Sequence, residues 1–283
     1  MPLKSVFILV WLSPAFLVAQ VKNSENIFFK TQGTIMMAIK AKDGIIIVAD
    51  SRVAYTSSLS NDVLAYHDGL PKIYPLKKFA IAVAGDFSDG EFFIRRIISD
   101  FDDSKPSYRT PEECLFKFGL FTKEKYPAYF TKLDSNILIC AGYCPEQCIA
   151  VLVNNKTYTV APKSWASNVD YEMDSLHLFN PPPNGTSKQL ADLAESAMAE
   201  YIKIFHKENE MGGLFSVLKI SFDNSTRWSK NDFTGNDFFT ECEAARAIFT
   251  DKIRLVYTTE KNKELLREMI KVMRKRCAMA KSH

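Results

Sequence analysis

Apolar positions along this chain change their rhythm several times, and each change marks an element. Ile35–Ala41 and Ile45–Ala49 read as adjacent strands. Asp43-Gly44 between them predicts a hairpin turn, because glycine takes positive φ freely. The second run, Ile-Ile-Ile-Val-Ala, is apolar at every position. A strand of that kind is buried on both faces, as between two packed layers. Residues 56–71 are polar and read as a loop, after which Ile73–Tyr74 and Phe79–Ala84 form a second pair of strands. Ser88-Asp89-Gly90-Glu91 is a capping box that opens a helix running to about Phe101. Thr110-Pro111-Glu112-Glu113 opens another, with threonine as cap and proline in the first position. That helix carries Leu115, Phe118 and Leu120 towards a core.

The pattern then returns to strands at 136–140, 148–153 and 157–160. Pro181-Pro182-Pro183-Asn184-Gly185 is a break. The helix after it places Leu190, Leu193, Ala197 and Ile202 at helical spacing and is expected to end at Gly212-Gly213, before a strand at Leu214–Ile220. The tail from about Thr259 reads as a basic helix, either a solvated face or a contact for a membrane or acidic partner. Strands in two blocks with helices grouped between them predict an α+β fold: two stacked sheets with helices outside.

Composition adds compartment to this picture. The 283 residues are 47% hydrophobic and 24% charged, enough apolar material for a sizeable core and too much for a disordered chain. A net charge of +3 is too small to point to nucleic acid. Residues 1–19 combine Lys4, an apolar run from Val6 to Val18 and a small Ala19, the pattern of a cleaved signal peptide. An uncleaved anchor or a buried helix are the other readings. The run is short and broken by Pro14, and no later segment reads as transmembrane, so the expectation is a secreted or periplasmic protein with no stable membrane insertion after cleavage. The six cysteines match no common zinc spacing. Export leaves two readings open, a disulfide across a turn from Cys144 to Cys148 or a set of buried free thiols. Asn155, Asn184 and Asn224 begin glycosylation sequons, which matter only in a eukaryotic host.

The candidate chemistry lies in the opening hairpin. Gly33-Thr34 stands directly before the first strand, where a hairpin needs nothing. A threonine hydroxyl is a poor nucleophile, but a threonine freed as the first residue carries its own base, the α-amine, whose ordinary pKa is near 8. Gly33 allows the tight bend that brings the Thr34 hydroxyl to the preceding carbonyl. Asp50, with Ser51 and Arg52, ends the second strand, and Lys72 precedes the third. A Lys–Asp pair beside the new amine would hold it and keep the local field positive. Gly85, between a strand and a capped helix, offers a backbone N–H for a developing oxyanion. Taken singly, each has a plainer reading as strand threonine, loop ion pair, surface lysine or turn glycine. It is the ordered set that points to catalysis.

That set resembles the N-terminal half of a proteasome β-type subunit, a member of the N-terminal-nucleophile (Ntn) hydrolases. The residues that carry the likeness are Gly33-Thr34, Gly44, Ala49-Asp50-Ser51-Arg52, Lys72-Ile73 and Ala84-Gly85, within residues 33–96. The resemblance implies a four-layer αββα sandwich and threonine-type hydrolysis of amide bonds. By it Thr34 is the nucleophile, Asp50 and Lys72 support it, Gly85 donates to the oxyanion, and Arg52 and Glu208 are supporting residues. No cofactor or metal is implied. A peptide or small amide is the expected substrate, and self-association is the expected assembly. Residues 20–33 become a pro-segment, 34–258 the hydrolase domain and 259–283 the basic tail. Later in the chain the likeness thins: Met211 stands before Gly212-Gly213 where active members carry serine, and Ser167 is a weak substitute for a serine in a glycine turn. Those departures keep a second reading open, a catalytically inactive protein of this fold that acts in assembly or binding.

Overall fold

The computed structural model describes residues 29–57, 62–87, 93–154, 156–159, 164–230, 254–255 and 259–279. The segment read as a signal peptide, the residues read as the Ser88–Glu91 capping box and the Asn155 sequon lie outside them.

Two five-stranded antiparallel sheets form the centre. One is built from β2 (Met36–Ala41), β3 (Gly44–Ala49), β11 (Trp165–Ser167), β12 (Ser216–Ile220) and β13 (Thr226–Lys230), in the order β11-β2-β3-β12-β13. The other comprises β6 (Ile73–Pro75), β7 (Ala80–Ala84), β8 (Ile137–Tyr143), β9 (Gln147–Val153) and β10 (Lys156–Thr159), in the order β10-β9-β8-β7-β6. The period-two geometry of a strand explains why β3 is apolar throughout. Ile45, Ile47 and Ala49 face the other sheet, packed with Ile73, Ala80, Ala82, Ile139 and Ile149. Ile46 and Val48 face outwards and are covered by Leu190, Ala194 and Met198 of a helix at Ser187–Ile204. The second sheet repeats the arrangement. Its outer face, with Ile81, Val83, Leu138 and Leu152, is covered by helices α1 (Ile94–Asp103) and α2 (Pro111–Lys125). The outcome is the expected four layers, helix–sheet–sheet–helix.

Short helices α3 (Pro127–Phe130) and α4 (Asp170–Ser175) precede the long helix, here α5, and α6 (Glu260–Met279) follows. The cap of α2 is as read: the Thr110 hydroxyl accepts from Glu113 N. The start of α5 has a full capping box, Thr186 with Gln189, and its next N–H, on Ser187, donates to Asp43 in the β2–β3 turn at 2.7 Å. That contact ties the first hairpin to the long helix. Cys144 and Cys148 are joined by a disulfide across the β8–β9 turn, while Cys114 and Cys140 are free and buried. Asn224 clasps the same hairpin, accepting from Tyr143 N at 2.7 Å and donating to Tyr143 O at 3.2 Å, so this sequon asparagine has both side-chain atoms engaged.

Several expectations are corrected. Residues 56–71 are not all loop: β4 (Val53–Ser57) and β5 (Val63–His67) pair with each other, and with β1 (Phe29–Gln32) and β14 (Arg254–Leu255) they make a further sheet in the order β1-β4-β5-β14. Leu120 faces solvent at 51% exposure, because it lies on the opposite side of α2 from Leu115 and Phe118. The long helix stops at Ile204, well before Gly212-Gly213, and the intervening loop returns to the end of β3. Among the described residues no helix is long and apolar enough to cross a membrane.

Candidate active site

The three chain segments that carry the sequence candidates converge where β3 ends. Asp50 follows β3 directly, Thr34 precedes the neighbouring β2, and Lys72 leads into β6 of the opposite sheet. All three side chains are buried. Lys72 Nζ donates to Asp50 Oδ1 at 2.7 Å, to the carbonyl oxygen of Gly33 at 2.7 Å, and to that of Arg52. An ammonium has three N–H donors, so this one is saturated. The Thr34 hydroxyl donates to the same Gly33 carbonyl at 2.5 Å. One carbonyl oxygen, on the peptide joining Gly33 to Thr34, therefore receives both an ammonium and the candidate nucleophile.

Asp50 is equally engaged. Its Oδ1 also accepts from Ile35 N at 3.0 Å, and its Oδ2 accepts from Gly212 N at 2.8 Å. Burial lifts the Asp50 carboxyl above the ordinary carboxylate range, opposed by the charge of Lys72 and by these donors. The same burial pulls the Lys72 ammonium below its ordinary value, opposed by Asp50.

Gly33 holds φ +95°, and a Cβ placed on it would lie 1.6 Å from the carbonyl oxygen of Glu210. Only glycine fits. Gly85 holds φ +115°, and a Cβ there would lie 2.3 Å from Asn136 Oδ1. Asn136 is buried between β8 and that loop. Its Oδ1 accepts from Asp86 N at 2.7 Å, and its Nδ2 donates to Asp86 O at 3.1 Å and to Tyr129 OH at 2.9 Å. Because Asp86 N–H is spent on Asn136, the Gly85–Asp86 peptide is locked in one orientation. Gly85 and Thr34 border one cleft of about 330 Å³, lined also by Gly33, Asn168, Glu210 and Met211.

Arg52 lies one layer behind. Its guanidinium pairs with both carboxylate oxygens of Asp68, at 2.7 and 2.9 Å, stacks over Tyr66, and donates to Glu208 O. The N–H groups of Ser51 and Arg52 both donate to Gly212 O. Together they fasten the 208–213 loop that delivers Gly212 N to Asp50. Glu208 is exposed and meets the site through its backbone carbonyl; Glu210 is the acidic residue of this loop that borders the cleft. Ser167 is buried and its hydroxyl accepts from Val169 N at 3.2 Å.

The model of the family described as "Proteasome subunit" matches residues 30–118, a span that includes Thr34, Asp50, Lys72 and Gly85. A solved structure, described as an Anbu (Gly-1) mutant from Hyphomicrobium sp. strain MC1, shares 10% identity with a TM-score of 0.51, over 88% of this chain and 100% of that one. The chain has the proteasome β-type Ntn-hydrolase fold. No curated protein matches the sequence. The family match stops within α2, whereas the likeness of fold extends through most of the chain. In this proteasome-type frame Met211 borders the cleft, where the resemblance implies a serine.

Sequence reasoning missed two residues of the site, Asn136 and Asn168. Each acts on a partner far away in the chain, and neither belongs to a local motif. For Asn136 the one available signal is position, at the start of a strand of the second block; Asn168 follows a strand that the sequence pattern does not mark.

Proposed function

We propose that this chain is an exported, proteasome-like threonine-type hydrolase that first cuts itself between Gly33 and Thr34 and then cleaves peptide or amide bonds. The observation that carries the reading is the double approach to the Gly33 carbonyl oxygen, by Lys72 Nζ at 2.7 Å and by the Thr34 hydroxyl at 2.5 Å. In the cut, Thr34 Oγ1 gives up its proton and bonds to the Gly33 carbonyl carbon. The carbonyl oxygen becomes negative beside the Lys72 ammonium, the stabilisation that acyl transfer requires. The C–N bond breaks, the nitrogen takes the proton, and water hydrolyses the resulting ester. This leaves a Gly33 carboxylate, a free Thr34 hydroxyl and a free α-amine. The amine then serves as base for the hydroxyl, with Gly85 N–H as oxyanion donor and Asp50 and Lys72 as support.

A peptide substrate is favoured by how the pro-segment lies. β1 pairs antiparallel with the edge of β4, Gln32 opposite Ala54, and leads straight into the Gly33–Thr34 bond. That edge accepts an extended chain by main-chain hydrogen bonds, a general mode of peptide binding. Export is supported by the signal-like N-terminus and by the Cys144–Cys148 disulfide. Self-association follows from the resemblance.

Intact mass and N-terminal sequencing of the secreted protein test the reading. A mature chain beginning Thr34-Ile35-Met36 is expected, with an uncut and inactive Thr34→Ala variant. Normal processing and hydrolysis by Thr34→Ala would refute it. Met211 in the cleft favours the second reading, a binding or assembly protein of the same fold; that protein would stay uncut and resist threonine-directed electrophiles.

A further inference from the structure

The Thr34 main chain is held from two sides. On one, Asp50 takes Ile35 N. On the other, Asn168 reaches across from the turn after β11. Its Nδ2 donates to Thr34 O at 2.7 Å and its Oδ1 accepts from Met36 N at 2.8 Å. The register explains the arrangement. β11 pairs with β2 as far as Ser167 opposite Met37, and there the backbone turns away into α4. The ladder would end one rung short of the nucleophile. The Asn168 side-chain amide, giving one N–H and offering its oxygen as a peptide group would, supplies the missing rung.

Neither Asn168 bond involves Gly33, so both outlast the cut. Freed chain ends fray unless tied down. Once Gly33 is gone, the Thr34 carbonyl has this one tether among the described contacts, and the hydroxyl and amine are carried on the same residue. Asn168 also borders the cleft, so its amide stands beside the reacting groups.

We infer that Asn168 is a positioning residue: it extends the β2–β11 ladder to Thr34 and holds the nucleophile and its amine in register with Lys72 and Gly85, before and after self-cleavage. The inference rests on the threonine-hydrolase reading above. It requires an amide at this position. Aspartate keeps the size but has no donor, and it sets a carboxylate against the Thr34 carbonyl. Alanine removes both bonds.

The test uses full-length wild type, Asn168→Ala, Asn168→Asp and Thr34→Ala. Precursor cutting is followed by intact mass, a readout whose substrate is part of the chain. Turnover is then measured on chains produced with Thr34 as first residue, using tripeptide aminocoumarin amides, with active sites counted by a peptide vinyl sulfone. Counting sites removes any loss due to unfolded protein. Both Asn168 variants are expected to slow cutting, and to lower kcat per titrated site by about tenfold to a hundredfold with KM little changed, as misplaced reacting groups do. Asn168→Asp is also expected to move the acid limb of the kcat/KM profile upward by about one pH unit, because a nearby carboxylate stabilises the protonated amine. Cutting and per-site kcat within about twofold of wild type, with an unshifted profile, would overturn the inference. If Thr34→Ala is inactive in that case, only the role of Asn168 falls. If Thr34→Ala cuts and turns over, the threonine-hydrolase reading falls with it.

Discussion

Replacing Gly33 by alanine isolates the proposed self-cleavage step. In that proposal the residue leaves with the pro-segment, so the substitution would leave the mature chain unchanged. The added Cβ would lie 1.6 Å from the Glu210 carbonyl oxygen, about 1.4 Å inside the 3.0 Å that real Cβ atoms essentially never breach. The obstacle is backbone, held by Arg52 on Glu208 O and by Ser51 and Arg52 on Gly212 O, and it cannot swing aside as a long side chain would. Positive φ adds about 1–2 kcal/mol for any residue with a Cβ. The Gly33 peptide is therefore the part that moves, and an ångström of movement takes its carbonyl out of hydrogen-bond range of Lys72 Nζ, now at 2.7 Å. Losing one preorganised donor to a developing oxyanion slows acyl transfer by about a hundredfold to a thousandfold. The expected outcome is a Gly33→Ala precursor that persists for at least a hundred times the wild-type half-time of cutting, at order-of-magnitude precision. A time course of intact mass after synthesis measures it. The same protein produced with Thr34 as first residue should be fully active. Cutting of Gly33→Ala within about threefold of wild type would mean that the Lys72–Gly33 contact does not drive the reaction.

The remaining predictions concern other parts of the site and the frame. Lys72→Met should abolish precursor cutting and leave Asp50 buried without its counter-ion, at a cost of about 3–5 kcal/mol in denaturant unfolding; Lys72→Arg should not restore cutting, because the larger planar group does not fit a saturated, dry site. Asn136→Ala should lower kcat with little change in KM, since it frees the Asp86 backbone and with it the adjoining Gly85 that carries the donor N–H, and unchanged kcat per titrated site would count against Gly85 as oxyanion donor. Asp43→Asn should cost about 1 kcal/mol at neutral pH by weakening the α5 N-terminus and the Lys219 pair. The Asp43 carboxyl is desolvated by burial, which raises its pKa, but hydrogen bonds from Lys219 and Ser187 outweigh this and hold it well below the ordinary range. Its contribution is therefore complete above the unfolded value near 4 and fades as pH falls towards the lower folded value, so the wild-type advantage in chemical unfolding should shrink below about pH 4.

What could be read from the sequence followed its local patterns. The apolar runs Ile35–Ala41 and Ile45–Ala49 on either side of Asp43-Gly44 lead to a strand pair between two layers, and burial of both faces of β3 bears that out. Gly33-Thr34, Asp50 and Lys72 stand at strand ends, and strand ends are where a stacked pair of sheets brings distant segments together. The sequence pattern does not mark β5, β11 or β13, for physical reasons. Val63–His67 sits among polar neighbours, Trp165–Ser167 is three residues long, and Thr226–Lys230 is a polar edge strand with half its side chains in water. α5 ends before Gly212-Gly213 because the glycines that would stop a helix serve another purpose here, turning the chain so that Gly212 N meets Asp50. Asn136 and Asn168 were invisible because their partners are set by tertiary register alone.

The Asp50–Lys72 pair is costly as a structural device. Both side chains are wholly buried, and two apolar residues of like size would commonly hold a core as well or better. Its arrangement fits a reaction. One of the three acceptors that saturate Lys72 is the Gly33 carbonyl, which belongs to the bond the proposed cut would break. After the cut Lys72 keeps Asp50 and Arg52 O, loses that acceptor, and gains a new α-amine on Thr34 as neighbour. Two cations in one dry pocket repel, and the one less well held gives up its proton first. That is the amine, because Lys72 still has Asp50 Oδ1 at 2.7 Å to hold its charge. The ammonium that would polarise the scissile carbonyl in the precursor would then keep the freed amine neutral, the only form in which it can take the proton of the Thr34 hydroxyl.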